Sequence, residues 1–133
     1  MSTDCGGSVA FAGYAAMFGV VDRAGDVFRV GAFDAVRPVP LLWQHKGAPV
    51  GAITAIGADA CGLRVAGRVD DARVAALVRW GGLTGLSVGY RARAVRQGAR
   101  RELLAVDLIE VSLVAVPMQR CARVDFVGAA DDP

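Results

Sequence analysis

Acid–base chemistry in this chain can rest on few side chains: His45 is its one histidine, and only two of its 13 acidic residues are glutamates. A nucleophile is suggested by Gly85-Leu86-Ser87-Val88-Gly89, a serine held between glycines. The pattern G-x-S-x-G marks the nucleophile elbow of α/β-hydrolases when a strand turns sharply into a helix and the acid and histidine follow. Here Val88 to Val95 continues as an alternating strand and His45 precedes the serine, so that elbow is excluded. On a strand, Gly85, Ser87 and Gly89 share one face while Leu86, Val88 and Tyr90 share the other. A hydroxyl between two positions without side chains lets another backbone come close, and Gly85 and Gly89 are read as opening the approach for substrate. The same pattern also fits an inert serine beside a bulge.

His45 ends the run Pro40-Leu41-Leu42-Trp43-Gln44-His45, ahead of Lys46-Gly47-Ala48-Pro49, which reads as a turn. An imidazole at a sheet rim can reach a hydroxyl and still exchange protons with solvent, although a solvated strand-end histidine fits as well. Glu110 lies inside the apolar run Leu108 to Val114, where a charge is seldom buried without a partner. Alternation places Glu110 with Leu108, Ser112 and Val114. A carboxylate facing a histidine fixes its tautomer and stabilises the imidazolium that forms during catalysis. A surface-facing glutamate on an edge strand is the alternative. Serine, histidine and acid on three strands are compatible with a triad, but spacing does not bring them together.

The elements that must do so read as mainly β. Apolar runs broken by glycine or proline every eight to twelve residues predict strands at Ser8–Phe18, Val39–His45, Val50–Ile56, Leu63–Val69, Leu86–Val95, Arg100–Asp107, Ile109–Val116 and Arg123–Val127. Asp22 to Asp26 supplies turn chemistry. One helix is expected over Asp71–Trp80, capped by Asp70 or Asp71, with Val74, Leu77 and Val78 as its apolar stripe and Gly81-Gly82 as its stop. The expected architecture is a single domain over 1–133, a β-barrel with one or a few helices, its core at about 8–127 and its tail, 128–133, flexible.

Composition narrows the function classes. A net charge of +2 in 133 residues implies neither nucleic acid nor a membrane surface as partner. Cys5, Cys61 and Cys121 are scattered and odd in number, so no disulfide framework or zinc site is expected, nor any metal or cofactor. Neither a secretory leader nor a spanning segment is read. Fourteen of the 15 basic residues are arginine. Arg91, Arg93, Arg96, Arg100 and Arg101 surround a hairpin at Gln97-Gly98, either guarding a strand edge against aggregation or offering a dock to an acidic segment.

Taken in order, Phe11-Ala12-Gly13-Tyr14-Ala15, Asp22 with Gly25-Asp26, Gly31-Ala32-Phe33, Leu42-Trp43-Gln44-His45 with Pro49-Val50-Gly51, Gly62-Leu63, Gly85 to Tyr90, and Asp107 to Val114 with Pro117 resemble the prohead (capsid maturation) serine protease family of tailed bacteriophages. The agreement runs from about Phe11 to Val124. The resemblance implies a barrel like that of the herpesvirus maturation proteases and a serine endopeptidase that removes scaffold or a major capsid protein segment. It would work in the bacterial cytoplasm, inside the assembling prohead of a phage, prophage or gene transfer agent. Carried over by position, Ser87 is the nucleophile, His45 the general base and Glu110 the third member. The herpesvirus relatives place a second histidine at that third position, which this chain lacks, so Ser112 is the fallback orienting group. Pro117-Met118-Gln119-Arg120 is a turn whose backbone N–H groups could form an oxyanion hole, giving Gln119 and Arg120 that role. A homodimer is compatible with the family, but one helix leaves its surface unassigned. Scaffold is expected as a separate protein or as part of the capsid subunit. Two other readings compete: a catalytically inactive β-barrel that binds capsid or scaffold subunits, and an enzyme using Cys61 or Cys121.

Overall fold

The computed structural model describes residues 7–130, so Cys5 lies outside the described residues. Eight strands and one helix follow in the order β1 (Val9–Met17), β2 (Asp26–Phe28), β3 (Pro40–Trp43), β4 (Lys46–Ala58), β5 (Gly62–Val69), α1 (Ala72–Arg79), β6 (Gly85–Gln97), β7 (Arg101–Val114) and β8 (Val124–Ala129). The strands form one mixed sheet in the order β2-β7-β3-β4-β5-β1-β8, with β6 along the other edge of β7. β6 and β7 form a long antiparallel hairpin from Gly85↔Val114 to Gln97↔Arg101. The opposite edge of β7 is shared by two parallel neighbours, β2 at Arg101–Leu103 and β3 at Val111–Leu113. The acid on β7 therefore lies between the serine on β6 and the histidine in the loop that follows β3.

The sheet curls until its ends meet. Leu86 N–H donates to the Ala122 carbonyl at 2.9 Å and Val124 N–H to that of Thr84 at 2.8 Å, closing the barrel between the start of β6 and the chain entering β8. Small residues permit so tight a closure. A Cβ on Gly13 would stand 2.2 Å from the Arg123 carbonyl oxygen, so β1 can cross there only as glycine. The inward positions carry Phe11, Leu41, Leu63, Leu86, Leu103 and Leu113, all fully buried, each contributing about 1.5–3 kcal/mol relative to exposure. The helix packs Val74, Ala75 and Val78 inward. The Asp71 side chain accepts from the N–H groups of Arg73 and Val74, and Gly81, at φ +78°, follows the C-cap Trp80, as anticipated.

Several local expectations change. The stretch Lys46 to Pro49 is not a turn but the start of β4. The two runs read as separate strands around Asp107 are one strand, β7, and Ile109 is the extra residue of a bulge where Gly89 pairs with Glu110 and Tyr90 with Leu108. Gly128 and Ala129 belong to β8, paired with Ala10 and Val9, so the ordered core extends past 127. β2 was not anticipated. The arginine hairpin is largely neutralised: Arg93 pairs with Asp34 and Asp107, Arg96 with Glu102, and Arg101 with Asp26.

Candidate active site

His45 is placed by backbone geometry that costs energy. Trp43 pairs with Lys46, which leaves Gln44-His45 as a two-residue hairpin loop with φ +57° and +63°. The sharp β3–β4 turn demands this handedness, which usually recruits Asn-Gly. Non-glycine residues there cost roughly 1–2 kcal/mol each. β7 offsets that strain. Gln44 N–H donates to the Leu113 carbonyl at 2.9 Å, His45 N–H to Ser112 Oγ at 3.1 Å, and Ala115 N–H to Gln44 Oε1 at 2.9 Å. Strain persisting where the surroundings over-determine it is common at functional sites.

The acid is fixed from beneath. Glu110 Oε2 lies 2.6 Å from His45 Nδ1, and its Oε1 accepts from the fully buried Ser112 hydroxyl at 2.7 Å. Ser112 thus holds both partners, accepting from the histidine backbone and donating to the carboxylate. The edge-strand reading of Glu110 fails, since β7 is paired on both sides and the carboxylate side chain is only 10% exposed. A bond to Nδ1 leaves Nε2 as the basic nitrogen.

Ser87 pairs across strands with Ser112, and Gly89 with Glu110, so all four occupy one face of the hairpin. The space beside the two glycines is occupied by neighbouring groups. A Cβ on Gly89 would lie 2.2 Å from Glu110 Oε2, and one on Gly85 2.6 Å from the Val114 carbonyl and 2.9 Å from Pro117. Their missing side chains make room for the carboxylate and for the turn after β7. Ser87 and His45 instead line a common cavity of about 210 Å³ whose other walls include Ala16, Asp22, Phe28, Leu86, Tyr90 and Met118.

The 117–120 turn reaches this cavity through Met118 and Gln119. The Gln119 amide pairs with both backbone groups of Met17, accepting from its N–H at 2.6 Å and donating to its carbonyl at 3.0 Å. That clamp fixes the turn and commits the Gln119 side chain to structure. Arg120 is exposed, is not part of the cavity wall, and lends its carbonyl to Arg123 Nε. Burial, reinforced by Asp26 and Asp22, pushes the Tyr90 hydroxyl up from the ordinary tyrosine range. Asp22 and Tyr90 were not anticipated as site residues, because Asp22 sits in a turn sequence and the alternation of β6 points Tyr90 to the core face. Cys61 and Cys121 are both exposed and neither lines the cavity. Among the described residues no cluster of three or more His, Cys, Asp or Glu could hold a metal, and no helix is long and apolar enough to cross a membrane.

No curated protein matches the sequence. Among solved structures, the fold is similar to that of the KSHV protease in complex with a hexapeptide phosphonate inhibitor, with TM-score 0.65 and 14% identity over 92% of this chain and 66% of that one. A second KSHV protease structure matches with TM-score 0.56 and 14% identity over 91% of this chain and 61% of the other. The chain thus spans just under two thirds of the length of these proteins. The family model for caudovirus prohead serine proteases matches residues 1–131. The chain belongs to the caudovirus prohead serine protease family.

Proposed function

We propose that the chain is a serine endopeptidase of capsid maturation, with Ser87 as nucleophile, His45 as general base and Glu110 as the residue that orients the base. The observation that carries this reading is the 2.6 Å contact of His45 Nδ1 with Glu110 Oε2 beside a cavity that both His45 and Ser87 line. Nδ1–H donates to Glu110, so Nε2 takes the Ser87 proton as Oγ attacks the scissile carbonyl. The imidazolium then forms against a carboxylate, and Nε2–H returns the proton to the leaving amine. Water repeats the cycle to release the acyl group. Met118 and Gln119 line the same cavity, and backbone N–H groups of their turn, which the Gln119 clamp holds in place, are the donors this reading assigns to the developing oxyanion.

The substrate in this reading is the major capsid protein, a scaffold segment, or both, cut inside the assembling prohead in a bacterial cytoplasm. Family membership supports that assignment. The test is co-expression with the major capsid protein of the same locus, comparing the wild type with Ser87→Ala and His45→Ala by intact mass. Wild type is expected to shorten the capsid protein and both variants to leave it whole. An unchanged mass in assembled particles, or cleavage by Ser87→Ala, overturns the assignment.

A further inference from the structure

Asp22 is the one carboxylate in the wall of the cavity that Ser87 and His45 line, and the residue is only 7% exposed. Its Oδ1 accepts from the N–H groups of Ala24 at 2.8 Å and Asp26 at 3.0 Å, stitching the turn that leads into β2. Those two bonds need an acceptor oxygen and no charge, so asparagine would hold the turn equally well. No cation among the described residues pairs with Asp22, whereas the neighbouring Asp26 has Arg101 at 3.4 Å. A carboxylate so buried without a counter-charge is costly unless something brings the charge to it.

The remaining walls say what could. Phe28, Leu86, Val88, Met118 and the alanines make the cavity mostly apolar, which suits an aliphatic stem. At about 30 Å³ for each water-sized group, 210 Å³ holds about seven heavy atoms. A lysine side chain has five beyond its α-carbon and an arginine seven. Ser87 and Tyr90 both line the cavity, and the three residue steps from one to the other along β6 span about 10 Å, close to the reach of such a side chain.

We infer that this cavity receives the side chain of the residue supplying the scissile carbonyl, and that Asp22 selects lysine or arginine there. This rests on the protease reading above. The apolar walls take the stem, and Asp22 Oδ2 accepts from the cationic head, an arrangement that also relieves the unpaired acid.

The experiment begins with the junction cut in the co-expression assay, which is expected to follow Lys or Arg. Internally quenched peptides spanning that junction, identical except for lysine, its neutral near-isostere norleucine, or glutamate before the scissile bond, are then assayed with wild type, Asp22→Asn and Ser87→Ala. The wild type is expected to favour lysine over norleucine by about 10- to 100-fold in kcat/KM, the range for one charge-assisted hydrogen bond. Asp22→Asn keeps the acceptor that the turn needs and is expected to bring that ratio to about one, a change that mere loosening of the fold would not produce. Cleavage by wild type after a small neutral residue, a lysine-to-norleucine ratio near one, or a ratio unmoved by Asp22→Asn overturns the inference and leaves the protease reading standing. If the wild type cuts nothing, or Ser87→Ala cuts as well, the protease reading fails and the inference falls with it.

Discussion

Replacing Glu110 by glutamine and by alanine separates two things the acid of the proposed triad does. In either variant the charge opposite the imidazolium disappears. With N···O at 2.6 Å the two charge centres sit about 4 Å apart, which at the effective dielectric near a protein surface is worth about 4 kcal/mol. Because the His45 side chain is 43% exposed, solvent screening brings this to roughly 2–3 kcal/mol, or about 30- to 150-fold in kcat/KM. Glutamine adds a second fault. The Ser112 hydroxyl accepts from His45 N–H and donates to Oε1 of residue 110, and keeping that donation points the amide oxygen towards Ser112. The amide nitrogen is left facing His45 Nδ1, which must then accept, driving the proton to Nε2, where it prevents that nitrogen from taking the Ser87 proton. Glu110→Gln is therefore expected to be at least tenfold slower than Glu110→Ala, even though it is the closer isostere. Peptide kinetics on the two variants give the order, and ¹⁵N chemical shifts of the histidine ring report the tautomer directly. Wild-type activity in both variants would remove Glu110 from the site. A glutamine variant faster than alanine would refute the claim that Ser112 dictates the orientation.

Other variants probe the same framework. Ser112→Ala strips His45 N–H and Glu110 Oε1 of a shared partner in a fully buried setting, and is expected to cost about 1–3 kcal/mol in chemical denaturation as well as slowing turnover. If stability and rate are both untouched, the hydroxyl is not the link between histidine and acid. Gly89→Ala puts a methyl 2.2 Å from Glu110 Oε2, so the carboxylate must move and kcat/KM should fall about 100-fold; full activity would mean that the space beside Gly89 is not filled as described. Far from the site, Arg96 and then Arg29 hold the Glu102 carboxyl down to about 2. A depressed carboxylate stabilises the fold fully above its unfolded value and loses that contribution as pH falls towards 2. Thermal melts from pH 6 to pH 2 should thus show a shallower acid decline for Glu102→Gln than for wild type, and parallel curves would count against the cluster.

What could be read from the sequence was whatever depends on local periodicity. Strand alternation placed Ser87 and Glu110 on strands, and the Asp71 cap with Gly81 gave the helix ends. Misreadings arose where a distant partner decides the outcome. A break between two strands was expected just after Asp107, yet β7 runs on, and Asp107 is an exposed position in it whose charge is met by Arg93 across the hairpin. The emptiness at Gly89 looked like an approach for substrate because its neighbour is Ser87, whereas the register of β6 on β7 fills it with Glu110. Asp22 looked like turn chemistry, and its Oδ1 does serve the turn; only the packing of β6 against the turn puts the residue in the wall beside Ser87. The three-residue β2 is too short to carry a period at all.

The placement of His45 shows how the site trades backbone strain for precision. With its side chain 43% exposed, the imidazole cannot be located by packing, unlike Glu110. A histidine on a flexible loop would lose its orientation, and with it the near-attack geometry on which effective molarity depends. The two-residue loop removes that freedom by forcing Gln44 and His45 to positive φ, and the bonds from their backbone N–H groups and from the Gln44 side chain end on residues 112–115 of β7 or its exit. Histidine and acid are consequently positioned by one strand, and the serine by that strand's hairpin partner. The constellation is accordingly expected to be sensitive to single-atom changes at Ser112 and Gly89, both of which abut the Glu110 carboxylate.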